Sequence, residues 1–374
     1  AFATIDLTKG VTGVLPSANA TYSTPRENAK PLIINGDMAI HQRATAGTSN
    51  NSFGVDRFKC SDTANFDQRG FTINQDTDVP SGNGFANSLK FTMTTPETTI
   101  DADEYGRVET ILEGQDVQLL KYGTSSAENV TLSFWVKSNV TGNYAVSLYQ
   151  DDDTRIIGST YTVSSSATWE KKVINFNGDT TGVIDNNNGQ GLSLRWYMSA
   201  GSNFTSSDNT SWGASSDSKL AYGQVASVMS TTSGYWYITG VQLEVGQFTS
   251  ATLPPFQFES FGDNLARCQR YYYRMINENI AMATFSYYSS NRVEAGISFP
   301  VSMRTAPSLV STSGSGYFRV QRNGGDNNLN DLSANNIGIN HASIFNTDEA
   351  SGNAGDAGYG YSRGSGYLSW NAEL

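Results

Sequence analysis

Charge is what this chain has least of. Of its 374 residues, 16% are charged, well below the usual quarter. The net charge of -11 excludes the clustered basic face that nucleic-acid binding needs. The densest basic stretch is Arg267, Arg270 and Arg274, too sparse to serve. Two cysteines and two histidines, with no Cys-x-x-Cys pair, exclude a zinc framework. Cys60 and Cys268 could form one bridge across the domain, but two unpaired, buried small residues is the preferred reading. No apolar run approaches 18 residues, so no segment is long enough for a membrane-spanning helix, and no membrane insertion is expected. Asp6 and Lys9 interrupt the start, which lacks a signal-peptide pattern. No glycine-rich phosphate loop leads into a helix. His41 and His341 are the only imidazoles, and neither lies near a Gly-x-Ser-x-Gly elbow. Acidic pairs such as Asp101/Asp103 and Glu109/Glu113 have no cleft assigned to them. The chain is thus expected not to be an enzyme.

Glycine, serine, threonine and asparagine fill the gap left by charge, and Tyr and Phe are plentiful. That mixture suits many short strands joined by polar loops. The organising stretch is Tyr235–Gly246, rich in aromatic and β-branched residues and free of proline. At period two it puts Tyr235, Tyr237, Thr239, Val241, Leu243 and Val245 on one face, and Trp236, Ile238, Gly240, Gln242 and Glu244 on the other. It reads as a central strand of a β-sandwich. Val130–Ser138 is a second clear strand, with Val130, Leu132, Phe134 and Val136 opposed to Thr131, Ser133, Trp135 and Lys137. Further strands are expected at 31–34, 70–74, 88–94, 105–111, 144–150, 156–163, 169–176 and 192–198. A weaker pairing is expected over 219–229.

The expected fold class is all-β, a jelly-roll β-sandwich with an extended N-terminal arm and a second, small C-terminal β-domain. Residues 1–30 form the arm, 31–262 the sandwich, 263–274 a short helical linker capped at Asp263 or Asn264, and 275–374 the C-terminal domain. In that last part strands are expected at 280–288, 292–299, 308–312, 317–321, 337–346 and 366–370. Segments 322–336 and 347–365, rich in Asn, Gly and Ser, are expected to be exposed loops. Asp37, Arg43, Asp56 and Arg57 read first as charges that fix an edge and a loop, with a structural ion-pair cluster as the other expectation.

Binding has more support in the residues than catalysis. Aromatic rings cover the C–H faces of sugars while amides and carboxylates bond the hydroxyls. The candidate ligand-binding residues are Trp212, Trp135, Tyr149, Tyr359 and Tyr361, with Tyr222 and Tyr367 also in suitable loops. Trp212 stands in a polar loop, where its loss should leave the fold intact. Trp196 and Trp236 read as core.

Several stretches together carry a resemblance. Leu32-Ile33-Ile34-Asn35-Gly36-Asp37-Met38, with Gln42-Arg43 and Asp56-Arg57-Phe58, resembles the opening of a jelly-roll domain of phage tail-fibre and related virion proteins. Leu132–Ser138 is similar to its inner strand. Thr239–Gly246, followed by Cys268-Gln269-Arg270-Tyr271-Tyr272-Tyr273, is similar to its last strand and exit. Gly10–Asn19 resembles the segment that ends a fibre shaft, and Ala372-Glu373-Leu374 resembles a fibre C-terminus. The main match covers roughly residues 31–274. The resemblance implies a phage receptor-binding protein in the virion's tail fibre, homotrimeric, attached to other tail or virion proteins, and binding a bacterial surface glycan without cleaving it. A purely structural virion protein and a polysaccharide depolymerase are the alternatives. The domain is similar to carbohydrate-binding jelly rolls, several of which hold a structural calcium. Asp37 matches one calcium ligand of that pattern, but Thr239-Gly240-Val241 stands where its second, aspartate half belongs. No other cofactor is implied. The acidic run Asp101, Asp103, Glu104 lacks the spacing of a dedicated calcium loop.

Overall fold

A computed structural model of the chain describes residues 30–43, 46–63, 70–97, 99–276, 279–323 and 325–374. The N-terminal arm expected over 1–30 therefore lies outside the described residues, apart from Lys30.

The described chain is almost entirely antiparallel β-structure. Strands β1 (Phe53–Val55), β2 (Phe58–Asp62), β3 (Gly70–Asp76), β4 (Ser88–Thr95), β5 (Tyr105–Glu113) and β6 (Val130–Ser138) come first. Then follow β7 (Gly142–Gln150), β8 (Arg155–Val163), β9 (Glu170–Phe176), β10 (Gln190–Ala200), β11 (Gly213–Ala214) and β12 (Tyr235–Val245). One sheet has the order β1-β2-β5-β10-β7-β8-β11, the other β3-β4-β12-β6-β9. They pack face to face around Phe58, Phe91, Phe134, Tyr144, Trp196 and Trp236. Each of these bulky side chains, fully removed from water, contributes roughly 1.5–3 kcal/mol. The alternation read in Val130–Ser138 is realised in part: Leu132, Phe134 and Val136 enter this core and Trp135 and Lys137 stay partly exposed, but Thr131 and Ser133 on the second face are buried as well.

The organising strand differs from its period-two reading. Thr239 pairs with Trp135, but Gln242 pairs with Ser133. One extra residue has been inserted, at Gly240, whose φ is 63°. Such a bulge exchanges the two faces beyond it. Trp236 and Ile238 point inward before it, Val241 and Leu243 after it, so Tyr235, Tyr237, Thr239 and Gln242 share the outer side. The Val241 amide, freed from the ladder, donates to Gly36 O at 2.9 Å. The segment that supplies Gly36 is not the strand expected at 31–34. It is a series of turns in which Asn35 and Met38 take left-handed φ values of 60° and 59°. The Asn35 side chain holds it together, accepting from Ile40 N at 2.8 Å and donating to Ile40 O and Asp56 O.

A one-turn helix α1 (Ser202–Thr205) lies between β10 and β11. Helix α2 (Phe261–Gln269) follows β12. Its cap is Ser260, immediately before the helix and three residues before Asp263, whose amide it accepts at 3.2 Å while its own hydroxyl donates to the Asp263 carboxylate at 2.7 Å. That reciprocal box starts the helix earlier than expected. The chain then turns straight into β13 (Tyr272–Ile276), so Tyr272 and Tyr273, expected to be helical, are strand residues.

The remaining strands are β14 (Ala281–Ser289), β15 (Arg292–Ser298), β16 (Ser308–Ser311), β17 (Phe318–Gln321) and β18 (Asn327–Leu329). β19 (Ser333–Asn335), β20 (His341–Asn346), β21 (Ala357–Ser362) and β22 (Leu368–Asn371) complete the chain. A three-stranded sheet runs β13-β22-β16 and a second seven-stranded sheet runs β18-β17-β21-β14-β15-β20-β19. Phe285, Tyr287, Phe318, Ile344 and Trp370 form a core of their own. The pairing expected over 219–229 does not form a strand. That segment turns, its Val228 amide donating to Met198 O at 3.0 Å.

The two cores are tied by charge. Arg43 faces Asp56 at 3.4 Å and Glu373 at 3.0 Å, and the buried Arg57 also pairs with Glu373. Arg270 grips Glu113 through two nitrogens, at 2.7 and 2.8 Å. Of the four charges read as a candidate ion-pair cluster, Arg43, Asp56 and Arg57 do join one, but Asp37 does not and turns to Asn264 at 3.2 Å. The cluster's missing member, Glu373, comes from the far end of the chain. Cys60 and Cys268 are both buried and unpaired.

Candidate functional site

The inner face of β21 explains its outer one. Gly358 and Gly360 point inward and are buried, while Tyr359 and Tyr361 point outward. A side chain at Gly360 would strike the Phe285 ring, so the glycine lets Phe285 fill the core directly beneath the strand. Tyr359 and Tyr361, two residues apart, then stand side by side with ring centroids 6.0 Å apart and planes inclined by 35°. This corrects the loop expected over 347–365: the two tyrosines sit on an interior strand of the sheet. The Gly-Tyr-Gly-Tyr alternation was the signal, masked by a composition typical of turns.

Register fills in the rest of this face. Tyr359 is flanked by Gln321 on β17 and Thr284 on β14, and Tyr361 by Arg319 and Ala281. Further across, Ser286 faces Glu294, and Glu294 faces Phe345. Arg292 lies between two rings, its guanidinium carbon 5.4 Å from the Tyr288 centroid and 4.5 Å from that of Phe345. Its charge is met by Glu294 at 3.0 Å, and that of Arg319 by Asp326. Tyr359 is 53% exposed and Tyr288 69%. The result is an open platform of rings, amides, hydroxyls and locally balanced charges. Tyr288, Phe345, Arg292 and Arg319 belong to it and were missed by the sequence reading, although each occupies an outward position of its strand.

The other sequence candidates lie elsewhere. Trp135 is on the outer face of the five-stranded sheet, opposite Thr239 and Lys171. Near it Tyr237 contacts Tyr235 and Trp169 edge-on, at 5.4 and 5.9 Å. The Trp169 indole N–H donates to Asp78 at 2.9 Å. Tyr149 is on the other sheet, on the opposite side of the sandwich, stacked over the Arg195 guanidinium at 3.7 Å. Trp212 is half-buried. It packs against the sandwich core, meets Tyr122 edge-on at 5.6 Å and donates its indole N–H to Asn177 O at 2.6 Å. Its loss would therefore cost packing, contrary to the expectation of a free loop ring. The five candidates do not form one surface; only Tyr359 and Tyr361 are brought together.

Asp37 accepts from Asn264 and from the Ala39 amide, and burial raises its pKa above the usual aspartate value. Among the described residues, the acidic side chains close enough to share a cation are Glu97, Asp101 and Glu104, whose oxygens lie within 4.8 Å of one another. Asp37 and Asp103 are not in that group. A cavity of about 700 Å³ lies where Leu32, Leu119, Val245 and Phe248 meet Arg267 and Arg270. None of the five sequence candidates lines it.

No family model matches this chain, and no curated protein matches it. Solved structures similar to it include the enzymatically active domain of tailspike protein 4 of bacteriophage CBA120, at 11% identity and a TM-score of 0.31, over 57% of this chain and 21% of that one. TmCBM61 in complex with β-1,4-galactotriose is similar at 10% identity and 0.28, over 58% and 99%. A family 11 carbohydrate-binding module from Clostridium thermocellum, in complex with a β-1,3-1,4-mixed-linked tetrasaccharide, is similar at 12% and 0.27, over 55% and 97%. The matched part spans about a fifth of the tailspike chain. At these scores no residue role is carried over.

Proposed function

We propose that this chain is a non-catalytic, host-recognition protein of a phage tail fibre or tip, and that the outer face of its C-terminal seven-stranded sheet takes a bacterial surface glycan. The observation that carries the binding surface is the Tyr359/Tyr361 pair, exposed on a rigid strand and bordered by Gln321, Thr284 and Arg319. Adjacent rings present the flat apolar surface that pyranose C–H groups cover, and the flanking amide, hydroxyl and guanidinium supply donors and acceptors. The phage setting rests on the resemblance of residues 31–274 to tail-fibre jelly rolls.

The sandwich is read here as a jelly roll. Supporting that reading, β4-β12-β6-β9 and β5-β10-β7-β8 alternate between sheets as two interlocked Greek keys do. The division into a sandwich over 31–262, a helical linker over 263–274 and a second domain over 275–374 belongs to the same proposal, as does a homotrimer joined to other virion proteins. The two separate cores support the division.

The test is binding of the intact protein to a glycan array and to host envelope polysaccharide, with product analysis alongside. A Tyr359→Ala/Tyr361→Ala variant should bind at least about thirtyfold more weakly, as expected for removal of central aromatic anchors. Unchanged binding by a folded variant rejects this surface, and released oligosaccharide rejects the non-catalytic reading. A structural virion role is the second reading. It is favoured by Ile280, Tyr288 and Ile339, large apolar residues left exposed in the same region. It predicts no glycan binding and burial of Tyr359 in the assembled oligomer.

A further inference from the structure

The outer face of the sandwich's seven-stranded sheet is short of negative charge where it is most enclosed. Cross-strand register sets Lys59 beside Glu109, Glu109 beside Arg195 and Arg195 beside Ser147. Three cations converge on one carboxylate. Arg107 Nε is 3.0 Å and Arg195 Nε 3.3 Å from Glu109 Oε2, and Lys59 Nζ is 3.8 Å from Oε1. Glu109 is 3% exposed, and Arg107 and Arg195 are 8% each.

The cations are not equally served. Arg107 hydrogen-bonds Glu109 and also donates to Tyr105 OH at 3.3 Å. Lys59 donates to Leu374 O at 2.9 Å. Arg195 Nε, although near Glu109, makes no hydrogen bond. Its guanidinium is covered on one side by the half-buried Tyr149 ring at 3.7 Å. On the same face, the Ser147 and Ser193 hydroxyls are also buried without a partner. A buried charge is tolerated when it is paired and hydrogen-bonded; here one carboxylate is shared by three cations, and Arg195 Nε and two neighbouring hydroxyls make no hydrogen bond.

We infer that an anionic oxygen group (carboxylate, sulfate or phosphate) binds against Arg195 at the edge of the Tyr149 ring. Arg195 supplies charge-assisted donors in a planar fork matched to such a group, and the enclosed Ser147 and Ser193 hydroxyls keep its surroundings polar. Burial, followed by repulsion from Arg107, depresses the Arg195 pKa, the direction expected of a cation whose counter-charge is incomplete. The site is separate from the tyrosine platform and does not depend on the function proposed for it.

The full chain is titrated calorimetrically, at low and constant ionic strength, with sodium sulfate, sodium phosphate, sodium glucuronate and, as a neutral control, glucose. Saturable binding of at least one anion is expected, with glucose inert and with affinity about tenfold or more lower in Arg195→Gln. Preference for glucuronate identifies an acidic sugar as the source of the anion, and preference for sulfate or phosphate a free oxyanion or its ester. Should Arg195→Gln fail to fold, Tyr149→Leu serves, since it strips the covering ring and keeps the guanidinium; it is expected to weaken binding severalfold. No anion bound by the unaltered protein, or equal affinity in whichever variants fold, overturns the inference.

Discussion

Among the described residues, two seven-stranded antiparallel sheets treat their outer faces in opposite ways. In the sandwich, that face encloses Arg107, Glu109 and Arg195, each less than a tenth exposed. In the C-terminal part, the corresponding face leaves Tyr288 and Tyr359 more than half exposed and pairs its arginines with carboxylates at the surface. An enclosed charge is held in one geometry and its removal is felt by the whole fold. An open ring costs the fold little and is free for a partner. The first face offers a small, charge-selective site; the second offers area.

The sharpest way to break this contrast is Glu109→Gln, which leaves Arg107 and Arg195 without their shared carboxylate. It should lower stability by about 3–5 kcal/mol, read from the midpoint of urea unfolding. Gly360→Val comes next. The added carbons collide with Phe285 beneath the tyrosine pair, and about 1–3 kcal/mol should be lost by overpacking. If the two cores unfold separately, only the C-terminal transition should move in a calorimetric scan.

Acid sharpens the contrast further. Burial pushes the Asp56 carboxyl up to about 6, above its ordinary value in the unfolded chain. Between those values the folded state holds the proton more tightly, so stability should rise as pH falls from about 7 toward 4, on the order of 1–2 kcal/mol. Glu109 and Glu113 act oppositely. Burial raises each, but Arg107, Arg195 and Lys59 around Glu109, and the Arg270 and Tyr271 hydrogen bonds to Glu113, outweigh it and hold both below the usual glutamate value. Their contribution is present above that value and is lost at lower pH, so stability should turn down again below about pH 4. A monotonic fall from neutral pH would contradict this account. The smallest effect belongs to Tyr359→Ala, which should change stability by no more than about 0.5 kcal/mol, measured in the same urea titration. A larger loss would mean that Tyr359 is not the open ring described.

Much of this was legible in the order of residues, and the failures have physical causes. Val130–Ser138 was readable because one face is wholly apolar and the other is not. Tyr235–Val245 was recognised as a strand, yet its faces beyond Gly240 were assigned the wrong way round, because a bulge is a property of pairing and not of a single strand. Ala357–Ser362 looked like a loop because two of its three inward positions are glycines, and what fills the space beneath Gly360 is Phe285, 75 residues earlier in the numbering. The Tyr359/Tyr361 pair was named as a candidate, but its neighbours Gln321, Thr284 and Arg319 arrive from other strands. The charge excess around Glu109 was invisible for the same reason: Lys59, Arg107 and Arg195 meet only through the register of three strands.

Arg57 and Glu373 are separated by 316 positions, and their meeting has a bearing on biosynthesis. At about 5–20 residues per second, Arg57 leaves the ribosome tens of seconds before its counter-ion exists. Any sheet the sandwich forms in that interval holds this guanidinium without the carboxylate that neutralises it in the finished protein. Glu373 thus acts as a latch: the earlier-made sandwich reaches this electrostatic state only when a segment made 316 positions later folds back onto it.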